Sequence, residues 1–325
     1  MSERVNVYEV APRDGLQNES TVVETDDKVA FIERLVASGY RDVEISSFVR
    51  PRWVPQLADA SEVVARTAHL RDENDVTFWA LVPNRRGLDR AVESGLGAVA
   101  TFLSASETHN KKNINRTVRE SLAAQSEVIA SAREEGMRVR AYISCVFGCP
   151  YEGHVDPDRA VDIAQALLSA GAEQISLGDT TGMGNPAQVA DIIGRFKAAG
   201  VDLGRLALHM HDTRGTALAN VLAGLQSGVR CFDASIAGLG GCPYAPGASG
   251  NLASEDLIYM LQEMGYDTGL DLESAAQAGD FIEDVLGREL PGRYHLYHRG
   301  AAGSAGSAST ASTAGTGRAR NSARG

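Results

Sequence analysis

The stretch "QISLGDTTGMGNPAQVADIIGRFKAAGVDLGRLALHMHD", residues 174–212, decides how this chain folds. It opens on a short β-rich run, QISLGD (174–179), and turns into a helical pattern starting at Asn185 and Pro186 and stopping at Gly200. It closes on a second β-rich run, LALHMHD (206–212). Pro just inside a helix and Gly just past it are boundary signals with a backbone cause, a fixed φ at one end and a free one at the other. A strand, a crossover helix and a strand predict a parallel pair.

Working outward, the same unit recurs. VNVYEV (5–10), DVEISSF (42–48), VTFWALV (76–82), AVATFLS (98–104), VRAYISCV (139–146) and CFDASIAG (231–238) complete a set of eight runs, separated by helical patterns. In DDKVAFIERLVASGY, Val29, Ile32, Leu35 and Val36 fall at helical spacing before the stop at Gly39. Eight successive βα units predict an α/β chain folded as a closed (β/α)8 barrel; an open doubly wound sheet fits less well, because no topological break interrupts the series. DLESAAQAGDFIEDVLGREL (271–290) reads as a short C-terminal helical extension, so residues 1–290 form the catalytic domain. Residues 291–325 read as a disordered tail, most plainly the Gly/Ala/Ser-rich stretch from Gly300.

Composition narrows the function. With 325 residues, 43% of them apolar, the chain can bury a large core, and a net charge of −11 argues against nucleic acid or an anionic membrane as partner. No stretch approaches the roughly 20 apolar residues of a membrane span. Four cysteines, Cys145, Cys149, Cys231 and Cys242, make no disulfide framework and suit a reducing cytoplasm. The lysines, Lys28, Lys111, Lys112 and Lys197, all lie outside the strand runs, which disfavours a Schiff base inside the barrel.

Barrel chemistry sits at the C-terminal ends of strands. There the first run leads into Arg13, Asp14 and Gln17, the second holds Glu44, the sixth ends in Asp179, and the seventh carries His209 and His211. The eighth leads into GLGGCPYAPGASGN, with Cys242 and Asn251. Residues two apart on a strand share a face, so the imidazoles of His209 and His211 project side by side; such a pair is either a metal site or two satisfied core histidines. The first, seventh and eighth strands of a closed barrel are neighbours. Asp14 and Asn251 can therefore join the histidines, and this set of nitrogen and oxygen donors favours a six-coordinate Mg2+ or Mn2+. Arg13 is a surface ion pair with Asp14 or the group that stabilises an oxyanion beside it. The glycine-rich segment is a flexible connection or a mobile lid bearing Cys242 as acid or base. Cys145 and Cys149 read mainly as packing. GMGNPA (182–187) mimics a dinucleotide fingerprint but falls in the sixth unit, and reads as a tight turn opening a helix.

EVAPRDGLQNE, SSFVRPRWVPQLAD, KKNIN, GCPYEG, ISLGDTTGMG, HMHDTRGTALAN and AGLGGCPYAPGASGNLASEDLIYML resemble, in order over residues 4–288, the 3-hydroxy-3-methylglutaryl-CoA lyases, a TIM-barrel branch of the metal-dependent acyl-CoA lyases and Claisen synthases. The chain departs from the pattern after about residue 290, where it lacks the C-terminal cysteine of some relatives. The resemblance implies retro-Claisen cleavage of (S)-3-hydroxy-3-methylglutaryl-CoA to acetoacetate and acetyl-CoA, with an acyl-CoA partner and a homodimeric assembly. It makes Asp14, His209, His211 and Asn251 the metal ligands and sets Arg13 against the thioester carbonyl. Cys242 becomes the acid/base, while Glu44, Gln17 and Asp179 support the site. The tertiary hydroxyl proton then goes to His209 or Asp14, directly or through a water. Rival readings are the same chemistry on a larger 3-alkyl thioester such as an isohexenyl one, a condensing synthase, and a catalytically silent barrel serving as a binding protein.

Overall fold

Eight parallel strands close into a barrel in the computed structural model of the chain, which describes residues 2–241 and 250–301. They are β1 (Asn6–Glu9), β2 (Asp42–Ser47), β3 (Thr77–Leu81), β4 (Ala98–Ser104), β5 (Arg138–Ser144), β6 (Gln174–Asp179), β7 (Leu206–Met210) and β8 (Cys231–Ala234). Closure comes from β1 lying beside β8, in register from Asn6 opposite Cys231 to Glu9 opposite Ala234. The expected (β/α)8 order holds throughout.

Helices cover the outside. β1 to β3 are followed by α1 (Thr25–Ala37), α2 (Ala60–Asn74) and α3 (Arg85–Glu93), and β4 by α4 (Glu107–Ile114) and α5 (Val118–Glu134). β5 to β8 are followed by α6 (Pro157–Ser169), α7 (Pro186–Ala198), α8 (Ala217–Ser227) and α9 (Ser254–Glu263), then α10 (Leu272–Leu286). Local chemistry sets their starts. The Thr117 side chain accepts the Glu120 N–H at 3.2 Å while the Glu120 carboxylate accepts the Thr117 N–H at 2.8 Å, a reciprocal cap for α5.

Strand alternation divides the interior in two. Outward-facing Val43, Val99, Ile175, Leu208 and Phe232 merge with helix residues such as Ile32, Leu35, Ile192 and Phe196 in one continuous core. Facing inward, Tyr8, Trp79, Ala98, Ala207 and Cys231 form a separate layer, and Leu81, Ala100 and Tyr142 another. A charge lies between these inner groups. The fully buried Arg140 pairs with Asp233, donates to the Tyr142 hydroxyl at 3.1 Å and stacks 3.8 Å over the Tyr8 ring.

The folded chain runs past the expected boundary at residue 290. A further helix, α11 (293–301), docks on α9 and α10. His295 is fully buried, 2.9 Å from Glu283 and 3.7 Å from Asp280, and Asp256 accepts the N–H groups of Arg293 and Tyr294 at 3.1 and 2.5 Å. The correction has a physical reason: α11 is held mainly by polar anchors whose partners lie on other helices, so its composition reads as tail. Cys242 and the tail from residue 302 lie outside the described residues. Among the described residues, no helix is long and apolar enough to cross a membrane.

Candidate active site

Immediately after β1 the backbone widens. The Val10 carbonyl collects the N–H groups of Arg13, Asp14 and Gly15 at 3.1, 2.8 and 3.2 Å, so Ala11–Gly15 forms one broad helical turn. Turns of this width recur at functional sites because they re-aim side chains. Here Arg13 and Asp14 face the barrel mouth. Arg13 donates through Nε to Glu44 and through a terminal nitrogen to Asp14, and its guanidinium carbon lies 5.5 Å from the Tyr142 ring centre. Burial opposes its charge, but the two carboxylates outweigh burial and raise its pKa further. The free end of this held guanidinium suits a fixed cation for a developing oxyanion.

Asp14, His209 and His211 converge. One ligand atom from each lies within 4.8 Å of the others, the Nε2 atoms of the two histidines are 3.2 Å apart, and His209 Nε2 is 3.9 Å from Asp14 Oδ2. β7 ends at Met210, and His211 is held instead by an antiparallel bridge to Asn251. That bridge brings the Asn251 amide into the cluster, donating to Asp14 Oδ2 at 3.0 Å and to the Leu239 carbonyl at 3.2 Å. Gly240, at φ +116°, passes so close that a Cβ would stand 2.7 Å from the Asn251 amide nitrogen, so only glycine fits there.

The donor set suits a divalent cation. The Asn251 Oδ1 atom is buried without a hydrogen-bond partner, an uncompensated acceptor that a cation would satisfy. Burial, then the neighbouring His209, holds the His211 pKa down to about 3, so its ring is neutral, as a ligand must be. Burial works against the Asp14 charge, but Arg13 and both imidazoles hold the carboxyl below its usual range. Two nitrogens and two oxygens with no sulfur among them belong to the borderline-hard class of site.

Asp233 orients the cluster, a role the sequence reading missed. It lies 3.2 Å from His209 Nδ1, accepts the Ser176 hydroxyl at 2.8 Å and pairs with Arg140. A proton held on Nδ1 leaves the His209 Nε2 lone pair facing Asp14 and His211. The alternation of CFDASIAG did hold a signal, since Asp233 points inward two residues past Cys231. Asp233→Asn is expected to weaken Mn2+ binding by about 10–100-fold. It should also cost about 3–5 kcal/mol in urea unfolding, because Arg140 loses its counter-charge in the barrel. Parent-like Mn2+ affinity in a direct titration would remove Asp233 from this role.

The other expected residues take distinct places. Gln17 lines the cavity beside Arg13 and Asp14. Glu44 is fully buried with both oxygens committed, one to Arg13 and the other to the hydroxyls of Tyr8 at 3.1 Å and Tyr142 at 2.6 Å. Asp179 accepts the N–H groups of Met183 and Gly184 at 2.8 and 3.0 Å, and burial raises its pKa to about 6. The donors of the GMGNPA turn are thus held by the protein's own carboxylate. Cys145 and Cys149 are buried; burial pushes the Cys145 thiol up to about 12, leaving it unreactive.

Above the cluster opens a cavity of about 1370 Å3. Apolar Phe48, Leu81 and Phe102 line one part of it, and Arg50, Arg52, Arg85, Arg86, Arg90 and Arg116 ring another. On a chain of net charge −11, such a ring focuses positive potential at one opening. These arginines were invisible as a group in the sequence, since the loop after β2, the helix α3 and the connection between α4 and α5 supply them.

A family model described as HMGL-like matches residues 4–282. The hydroxymethylglutaryl-CoA lyase of Bacillus subtilis is 47% identical over 295 residues, covering 90% of this chain and 96% of that protein. A crystal structure of the Bacillus subtilis HMG-CoA lyase superposes with a TM-score of 0.88 at 46% identity, over 91% of this chain and 98% of its own. An HMG-CoA lyase from Acinetobacter baumannii, solved with coenzyme A and 3-methylmalate, superposes at 0.83 with 39% identity, over 89% and 93%.

Proposed function

The chain belongs to the HMGL-like family, and from that premise we propose that it cleaves 3-hydroxy-3-methylglutaryl-CoA to acetoacetate and acetyl-CoA. The observation that carries the reading is the meeting of Arg13 with the Asp14, His209, His211 and Asn251 cluster at the floor of an arginine-ringed cavity. A silent barrel has no use for such a donor set. The arginines suit the phosphates of a coenzyme A thioester, as the coenzyme A bound to the Acinetobacter baumannii lyase supports.

Asp14, His209, His211 and Asn251 would hold a divalent ion, Mg2+ or Mn2+ by their chemistry. When bound, it acts as a Lewis acid, lowering the pKa of the substrate's tertiary hydroxyl and fixing that hydroxyl's orientation. The protein does the rest. As the carbon–carbon bond breaks, negative charge moves to the thioester oxygen, and the Arg13 guanidinium, clamped by Glu44, faces that charge without having to reorganise. Glu44 and Asp179 hold Arg13, Tyr8 and Tyr142 and two backbone N–H groups, which fits them to support the site. The hydroxyl proton goes to His209 or Asp14, directly or through a water, a role that rests on the family resemblance. Cys242 returns a proton to the enolate carbon to complete acetyl-CoA, a role that rests on the family resemblance. Buried free thiols at Cys145, Cys149 and Cys231 support a reducing, cytoplasmic setting.

Reduced protein supplied with Mg2+ or Mn2+ is expected to release acetoacetate and acetyl-CoA in equal amounts from this thioester and to stop when EDTA removes the metal. Turnover of a longer 3-alkyl analogue with none of the methyl substrate would overturn the reading.

A further inference from the structure

Glu9 is the last residue of β1, fully buried, and no step above uses it. Its Oε1 accepts the N–H of Ala11 at 2.8 Å and that of Ile236 at 3.1 Å, and its Oε2 accepts the Ser254 hydroxyl at 2.6 Å. Those donors belong to three separate segments, one beside Glu9 and two from beyond β8. Ala11 begins the turn that carries Arg13 and Asp14. Ile236 opens the turn after β8 that leads to Leu239, and Ser254 starts α9 three residues beyond Asn251.

The same three segments meet a second time at the donor cluster, where the Asn251 amide donates both to Asp14 Oδ2 and to the Leu239 carbonyl. Ala11 and Ile236 are wholly buried, so their N–H groups would otherwise have no partner. A buried carboxylate is costly unless hydrogen bonds satisfy it, and here three do, while an apolar side chain would leave both N–H groups unpaired. What the carboxylate adds is three acceptor bonds from one rigid point.

Resting on the reading of the cluster as a metal site, we infer that Glu9 is a positioning residue that sets the spacing between Asp14 and Asn251 and so tunes affinity for the divalent ion. It touches neither substrate nor metal. Gln has Glu's size but only one acceptor oxygen, which can serve the two N–H groups or the Ser254 hydroxyl and not all three, so Glu9→Gln loosens the tie without opening a cavity.

Mn2+ titrated calorimetrically into metal-free protein tests this apart from turnover. Glu9→Gln is expected to weaken Mn2+ binding by about 10–100-fold, the range seen when groups behind metal ligands are lost, with kcat largely restored at high Mn2+. Ser254→Ala, which removes one of the three ties, is expected to weaken binding by a smaller factor. The double variant should bind no worse than Glu9→Gln alone, since both changes cut the same brace. Leu261→Ala, a core truncation in α9, should destabilise the fold while leaving Mn2+ affinity at the parent value. A folded Glu9→Gln protein with parent affinity overturns the inference; if that variant does not fold, Ser254→Ala with parent affinity overturns it alone. A parent chain that binds no Mn2+ defeats the metal-site reading itself. A parent that binds while both variants bind equally well defeats only the brace.

Discussion

Arg13→Gln is expected to lower kcat by about 10²–10³-fold or more while Mn2+ affinity stays near the parent value, because the guanidinium meets its full counter-charge only as the enolate forms. Arg13 sits between Glu44 and Asp14, and Gln can still donate one hydrogen bond to Glu44, so the floor of the site keeps its shape. Asp14 loses a competitor for its oxygens, which gives no reason for metal affinity to fall. Arg13→Lys should recover little. A single ammonium cannot hold Glu44 and Asp14 at once and also face the substrate oxygen. Steady-state kcat together with a direct Mn2+ titration decides the matter: lost metal binding, or a kcat within tenfold of the parent, would assign Arg13 a different role.

His211→Ala is expected to weaken Mn2+ binding by more than the roughly 100-fold that losses behind the ligands produce, and to abolish turnover at metal concentrations that saturate the parent. The variant removes a neutral imidazole nitrogen 3.2 Å from that of His209, one of the three donors that Asp14, His209 and His211 bring together. Unfolding of the metal-free protein should change less, since the backbone pairing of residues 211 and 251 needs no imidazole. The contrast to measure is Mn2+ affinity against metal-free stability in the same variant. Affinity that survives the substitution would leave His211 outside the ligand set.

Much of the site was legible because barrel topology converts strand order into proximity. Once β1, β7 and β8 are known to be consecutive staves, Arg13, Asp14, His209 and His211 must share one rim. Their residue types then speak for themselves. Three features escaped that logic. Asp233 resembles any inward strand residue until the distance to His209 Nδ1 is known, and the arginine ring is spread over the loop after β2, the helix α3 and the connection between α4 and α5. Glu9 reads as one more strand-end acid, since its three partners are a main-chain N–H two residues away, another beyond β8, and a hydroxyl at the start of α9.

The end of the folded chain shows the same limit. Hydrophobic periodicity locates elements that pack by apolar stripes, and α1 and α7 were found that way. α11 is held by His295, Arg299 and two backbone bonds to Asp256, and such anchors leave no periodic trace in one sequence. By itself, the sequence determined what alternation, helix boundaries and residue type carry: eight βα units, their order, and the donors at the strand ends. Only the tertiary structure decided the placing of Asp233 beside His209 Nδ1, the tie of Asn251 to Asp14 and the contacts that Glu9 makes. Those depend on distances between atoms far apart in the chain, and a hydrogen bond exists or fails over a few tenths of an ångström.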